Sequence, residues 1–375
     1  MNFLLKHLAQ RLLGQGPVAI QPFDDVCTGR NPARSVHQPE KIAGELAQAA
    51  ADSCYYHPTR ALLGQTPSPE LFAGLPRYRP AGLVPSPRRR LLTLSDAAIA
   101  GDDAVVYCPH RRMAVAETVR QWTRPAAQHP LLASPKFPPA HPLPGLTLSL
   151  GTLDGGGFYH FLLEVLPRLH LARPWLDRID HFLANGTAGS FQERWLVQAG
   201  VPAAKIHWLS GLSHFRCEQI LFTNPLCHDT QPTPWLVAAI RDVFGVRQVG
   251  LSGSRRIWIS RTDADSRHFA WEQELLARLE GFERVELARL APAAQMRLMT
   301  GAAVIAGPHG AGLANLIFCP PSTKVVELLP DASHRPLYGR LAIASGCLHA
   351  WAAVDFARPP DNLPELAATM TSFAR

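Results

Sequence analysis

The sequence predicts an α/β protein of two lobes, each a parallel sheet wound with helices. Two observations carry this. From residue 146 onward, short apolar runs alternate with helical segments, which is the pattern of parallel strands joined by crossover helices. The 375 residues are also too many for one ordinary core, so two domains are expected.

Composition sets the frame. Hydrophobic residues make up 47% and charged residues 18%, as in a globular chain. The formal net charge of +7 favours anionic partners. The cations are dispersed, however, and the densest cluster, Arg88-Arg89-Arg90, is too short to indicate nucleic acid. Seven cysteines with no C-x-x-C pair indicate neither a zinc site nor a disulfide framework, and a reducing compartment is the simpler inference. No run of 18 apolar residues occurs. Near the N-terminus Leu4, Leu5, Leu8 and Leu12 form a helical stripe beside Lys6 and Arg11. An ordinary packed amphipathic helix is favoured there over an interfacial one on an anionic membrane.

Residues 1–135 are expected to be partly β and to belong to the first lobe, although 14–90 carry few periodic signals. Ala104-Val105-Val106-Tyr107 and Met113-Ala114-Val115 read as strands. The proline-rich run from Ser134 to Gly145 breaks the pattern. The α/β rhythm over 145–245 then predicts a strand at Leu146 to Leu150, a turn at Gly155-Gly156-Gly157 and a helix from Phe158 that Pro167 must kink. A second unit over 254–355 starts at Arg256-Ile257-Trp258-Ile259-Ser260, and 356–375 form a tail helix. The units join near Gly245 to Gly253, giving two Rossmann-like lobes facing a cleft. Ligands in such sheets bind beyond the carboxyl ends of the strands.

Four clusters carry chemistry. The strand Ala302 to Ala306 runs into Gly307-Pro308-His309-Gly310-Ala311-Gly312 and a helix starting near Leu313. Glycines let a ligand approach the backbone, and a helix N-terminus suits a diphosphate. The Gly-x-x-Gly-x-Gly spacing is neither the dinucleotide fingerprint nor a Walker A loop. His309 is a candidate phosphate donor, and a tight turn without ligand is the plain alternative. Downstream, Glu327 stands near the end of an apolar strand, where a carboxylate can accept from ribose hydroxyls. His160, Glu164 and Arg168 follow at four-residue spacing on a helix that is otherwise apolar. They offer a general base, its orienter and a cation, or equally a structural ladder on the surface. Last, Ser260-Arg261, with Arg267 beyond, puts guanidinium groups at a strand end, suited to leaving phosphate charge.

In this order the clusters resemble glycosyltransferase family 61, which includes bacterial capsule and exopolysaccharide enzymes and eukaryotic protein and xylan glycosyltransferases. The matching pieces are Tyr159 to Arg168, Ile257 to Arg261 with Arg267, Gln295, Gly307 to Phe318 and Val325 to Leu328; His309-Gly310-Ala311-Gly312-Leu313 with Asn315 is the most specific. Phe269-Ala270-Trp271-Glu272 stands where the family shows Asn-Glu. The resemblance implies a GT-B fold, with a nucleotide-sugar donor in the C-terminal lobe and a glycan or lipid-linked glycan acceptor in the N-terminal one. It implies inversion at the anomeric carbon, no obligatory metal and no cofactor beyond the nucleotide sugar. Donor contacts are expected from Arg261, Arg267, Gly307, His309, Gly310, Ala311, Gly312, Leu313, Asn315 and Glu327. Glu164 or His160 is the expected base, with Asp154 in reserve and Arg168 in the cleft. The expected setting is cytoplasmic, with a peripheral contact at the inner membrane face and no nucleic acid. A nicotinamide-dependent oxidoreductase and a non-catalytic nucleotide- or glycan-binding protein are the rival classes.

Overall fold

The computed structural model describes residues 19–23, 43–49, 53–56, 60–63, 82–85, 88–120, 125–134, 137–227, 231–246, 253–262, 267–330 and 337–375. The apolar stripe at Leu4 to Leu12 lies outside them. The protein is a mixed α/β chain with two large sheets in two compact units. Unit 1 comprises residues 1–51 and 88–226, and unit 2 comprises 52–87 and 227–375.

Unit 2 has the sheet that the sequence predicts. Its strands run in the order Phe282–Val285, Arg255–Ile259, Ala302–Pro308, Lys324–Leu329, Leu348–Ala353 and Arg60–Ala61, and every neighbouring pair is parallel. Counted from Arg255–Ile259, the first five are ordered 2-1-3-4-5. This doubly wound order reverses between Arg255–Ile259 and Ala302–Pro308, and in sheets of this order ligands bind beyond the carboxyl ends of the strands at that point. The central strands are mostly apolar because both faces are covered. Trp258, Phe269, Trp271 and Phe356 pack on one face, the Phe269 ring lying 4.2 Å from Trp271 and 5.2 Å from Phe356. The helix Leu363–Ala374 closes that face with Leu363, Leu366, Ala367, Met370 and Ala374, an apolar stripe at helical spacing. Full burial of Leu366 contributes about 2 kcal/mol.

Two assignments move. Helix Pro234–Val243, expected in the first lobe, belongs to unit 2. Its buried Arg241 donates to the Ile317 carbonyl at 2.5 Å and the Cys319 carbonyl at 2.7 Å, capping the end of the Ala311–Phe318 helix with a cation. The boundary expected near Gly245 to Gly253 therefore falls at Leu226/Cys227. Residues 52–87 also join unit 2, with Arg60–Ala61 extending its sheet, although the sequence pattern placed them in the first lobe.

Unit 1 departs from a purely parallel sheet. Among the described residues its sheet has nine strands, with a parallel part, Ile206–Leu209, His181–Asn185, His141–Ser149 and His214–Thr223. Arg89–Ala100 pairs antiparallel with His214–Thr223, and Val105–Cys108 and Met113–Val115 continue as an antiparallel meander. Arg89–Ala100 has lost the half-buried alternation because side chains pack on both its faces, Leu92, Leu94 and Ile99 on one and Ala98 and Ala100 on the other. The strand His141–Ser149 begins inside the proline-rich run. Pro142 and Pro144 are tolerated because His181–Asn185 pairs only with Thr147 to Ser149, leaving the proline end one-sided.

Candidate functional site

Each unit holds one candidate site. In unit 2 it forms at the sheet's switch point. The buried strand Ala302–Pro308 carries the chain into the glycine loop, and the strand Arg255–Ile259 delivers Ser260 and Arg261 beside it. A Cβ on Gly307 would stand 2.6 Å from the Ile259 carbonyl oxygen, a backbone contact that nothing can relieve. Gly310 is extended, so its conformation is open to any residue. The reason for glycine there is space, since a Cβ would fall inside the Arg261 guanidinium. The loop thus lets a cation lie against its backbone where it enters the helix. That helix, Ala311–Phe318, is 3₁₀ rather than α, and starts two residues before Leu313.

Arg261 is anchored from behind. Buried Glu272 accepts from Trp258 Nε1 at 2.7 Å, Ser260 Oγ at 2.8 Å and Arg284 Nε at 2.7 Å, fixing the strand end from which Arg261 projects. Glu272 stands in the segment where the sequence departs from the family pattern. Arg267 is exposed at φ 55°. Tyr338 gathers the cluster: its ring is 5.1 Å from His309, and the charges of Glu327, Arg267 and Arg261 all act on it. Burial, with Glu327 adding to it, pushes the Tyr338 hydroxyl far above the usual tyrosine range.

Two residues take positions other than those expected. Glu327 is fully enclosed, and both its oxygens are occupied, by His309 Nδ1 at 2.5 Å and His349 Nε2 at 2.9 Å. The ribose contact does not fit this position, because the carboxylate lies in the sheet core rather than at its rim. Asn315 is likewise fully buried, and its amide donates to the Gly312 carbonyl at 3.1 Å, shaping the loop from inside. Burial raises the Glu327 carboxyl, but the two histidine hydrogen bonds outweigh it and bring the group from 4.5 down to about 2. A depressed carboxyl stabilises the fold fully above its unfolded value and loses that contribution as pH falls. Acid unfolding followed by circular dichroism is therefore expected to steepen between about pH 4.5 and 2, and Glu327→Gln to remove that component. An unchanged profile in the variant would show that Glu327 contributes nothing to acid sensitivity.

In unit 1 the loop Leu150 to Gly157 follows the strand His141–Ser149 and leads into the predicted helix. Pro167 disturbs that helix as expected. A single turn Phe158–His160 passes into a π-helical turn Phe161–Val165 and then into Leu166–Leu171, with Pro167 in its first turn. Such π turns recur at functional sites, where they redirect side chains. Here Glu164 lies in the π turn. It is 2% exposed and accepts from His160 Nδ1 at 2.9 Å, from Thr152 Oγ1 at 3.2 Å and from Arg120 in a close ion pair. Burial raises its carboxyl, but the His160 hydrogen bond and the Arg120 charge hold it below the usual range. A charged Glu164 accepts from Nδ1–H, which makes Nε2 the basic nitrogen of His160. Arg168 is buried and turns back on the helix, its Nε donating to the Glu164 carbonyl at 2.8 Å. Burial lowers it to about 10.

His160 lines an open cavity of about 570 Å³ together with Asp102, Asp103, Asp154, the three loop glycines and Asn185. Asp154 is exposed at φ 59° on its rim. Asn185, at the end of the strand His181–Asn185, holds the loop by accepting from Thr152 N at 2.9 Å and donating to the Asp102 carbonyl at 2.5 Å. A Cβ on Gly155 would collide with its amide, so the first glycine of the triplet is there for close approach. Sequence spacing brought His160 and Glu164 together. It offered nothing for Arg120 or Thr152, which reach Glu164 from 44 and 12 residues away in the chain, nor for Asn185, which holds the loop from the end of the strand His181–Asn185.

Residues 158–326 match the model of the family Glycosyltransferase 61. The match is somewhat under half of the chain. It takes in His160, Glu164, Arg168, Arg261, Arg267 and the whole glycine loop, and it supports a place in that family and a glycosyltransferase activity. No curated protein matches the chain. Among the described residues, no helix is long and apolar enough to cross a membrane, and no group of three or more His, Cys, Asp or Glu is placed to hold a metal ion.

Proposed function

We propose that the protein is an inverting, metal-independent glycosyltransferase of GT-B arrangement. It takes a nucleotide sugar in unit 2 and a glycan or lipid-linked glycan hydroxyl in unit 1. The observation that carries this reading is the meeting of Arg261 with the Gly307–Gly312 backbone at the switch point of a 2-1-3-4-5 parallel sheet. Cations, a histidine and free N–H groups at a helix start converge where such sheets bind ligands, and their chemistry fits a diphosphate. The loop spacing differs from the dinucleotide fingerprint, which argues against the nicotinamide reading.

In the proposed reaction His160 Nε2 takes the proton of the acceptor hydroxyl, with Glu164 orienting the ring. The oxygen forms a bond to the anomeric carbon while the bond to the diphosphate breaks in line. Arg261, His309 and the first N–H groups of Ala311–Phe318 stabilise the charge that appears on the leaving diphosphate. Asp154 is the second candidate base. Synthesis of capsule, exopolysaccharide or lipopolysaccharide on the cytoplasmic side, in peripheral contact with the inner membrane, is the setting consistent with the family resemblance. A thermal-shift panel of UDP, GDP, ADP and dTDP and their sugars tests the reading. Stabilisation by one nucleotide class, with slow hydrolysis of its sugar, is expected. Stabilisation by NADH and by none of the nucleotides would overturn it. Binding without hydrolysis or transfer would mark a non-catalytic binding protein.

A further inference from the structure

Unit 2 holds a buried line of three side chains, His309–Glu327–His349, of which the proposed reaction uses only the first. Glu327 and the His349 side chain are fully buried, and His349 comes from the neighbouring strand Leu348–Ala353, paired beside Lys324–Leu329. The protonation pattern follows from the contacts. Glu327 is a carboxylate, so it accepts from both histidines. His349 spends its Nε2–H on Glu327, and its Nδ1 is buried with no hydrogen-bond partner among the described residues. The carboxylate's other oxygen faces His309, 2.5 Å away, so the enclosed negative charge acts directly on that ring.

Resting on the donor reading above, we infer that nucleoside diphosphate binding is coupled to proton uptake at His309, with Glu327 and His349 as the positioning residues that make the imidazolium stable. The groups facing His309 set the balance. Glu327 favours the charged ring. Arg261, packed on Gly310, and Arg267, which acts on Tyr338, oppose it while the site is empty. Tyr338 is held neutral by burial and adds no charge. A diphosphate placed against Arg261 neutralises the opposing cations and leaves the carboxylate and the phosphate charge acting together on His309. The ring then takes a proton from solvent and remains protonated as a cationic donor. The coupling supplies positive charge only when the diphosphate is present, without a third permanent cation beside the two arginines.

Isothermal titration of the full chain tests this at pH 7.5 to 8, where the terminal phosphate is already ionised. The probe is whichever of UDP, GDP, ADP or dTDP binds, measured in buffers of different ionisation enthalpy. Uptake of a substantial fraction of one proton per nucleotide is expected. His309→Gln, which keeps a hydrogen-bonding side chain, should abolish the uptake, and Glu327→Gln should reduce it severalfold. His349→Gln, which still offers Glu327 a donor, should retain it. A purely structural role for the line would lower thermal stability in these variants and leave the proton count unchanged. Binding with no uptake in the unmodified protein, or equal uptake in His309→Gln, overturns the inference and leaves the donor reading standing. Failure of all four nucleotides to bind overturns both. If Glu327→Gln does not fold, the contrast between the unmodified protein and His309→Gln decides the matter alone.

Discussion

Replacing His160 by alanine is expected to lower sugar transfer by roughly 100- to 10,000-fold while donor affinity stays within a factor of two. The size follows from its place in the site. His160 faces the cavity of unit 1, and its Nδ1 is committed to a carboxylate that is 2% exposed. Glu164→Gln should fall nearly as far. Glutamine keeps the shape but removes the charge that favours the imidazolium, and its single acceptor oxygen cannot serve both Arg120 and His160. Because the two act as one unit, the double variant should be little worse than the worse single. Turnover and donor affinity measured separately distinguish this from damage to the fold. A Glu164→Gln enzyme with near-normal turnover would move the base to Asp154, on the rim of the same cavity.

The extent to which the site was legible follows from where its information resides. Unit 2 was read well because a parallel sheet with both faces covered writes continuous apolar runs, and its loop is punctuated by glycines that have steric reasons to be there. The same reading misjudged Glu327. A carboxylate near a strand end looks alike in sequence whether it meets a ligand or two histidines. The deciding residue, His349, is 22 positions away on the adjacent strand. Spacing also found His160 and Glu164, since a helical face is a local property. It did not find the π turn in which Glu164 sits, nor Arg120, Thr152 and Asn185, which tertiary pairing alone brings to the loop. The antiparallel half of the unit 1 sheet was missed for a related reason. Arg89–Ala100 is covered on both faces, so it lacks the alternation that marks an antiparallel strand facing water on one side. The boundary between units was misplaced because Arg241, which ties helix Pro234–Val243 to unit 2, reads in sequence as one more arginine among many.

Gly310→Val is expected to cost donor binding heavily with the fold intact. The extended backbone at Gly310 suits valine, so the variant carries no conformational strain. What valine cannot do is share space with the Arg261 guanidinium, which lies where the new Cβ must go. Arginine is flexible, so the fold relaxes by swinging the guanidinium aside, and the cation leaves the loop just where the diphosphate is proposed to sit. Loss of charge-assisted hydrogen bonds of this kind is worth about 1.5–3 kcal/mol, roughly a 10- to 150-fold rise in Kd for the nucleoside diphosphate, before any clash with the ligand itself. Arg261→Ala should give a loss of similar size. Adding Gly310→Val to it should cost less than the sum, because the valine then has no guanidinium left to displace. Calorimetric Kd values for the two single variants and the double variant measure that coupling directly. Full additivity would mean that the glycine serves the ligand alone and not the arginine, and an unchanged Kd in Gly310→Val would remove the diphosphate from this loop.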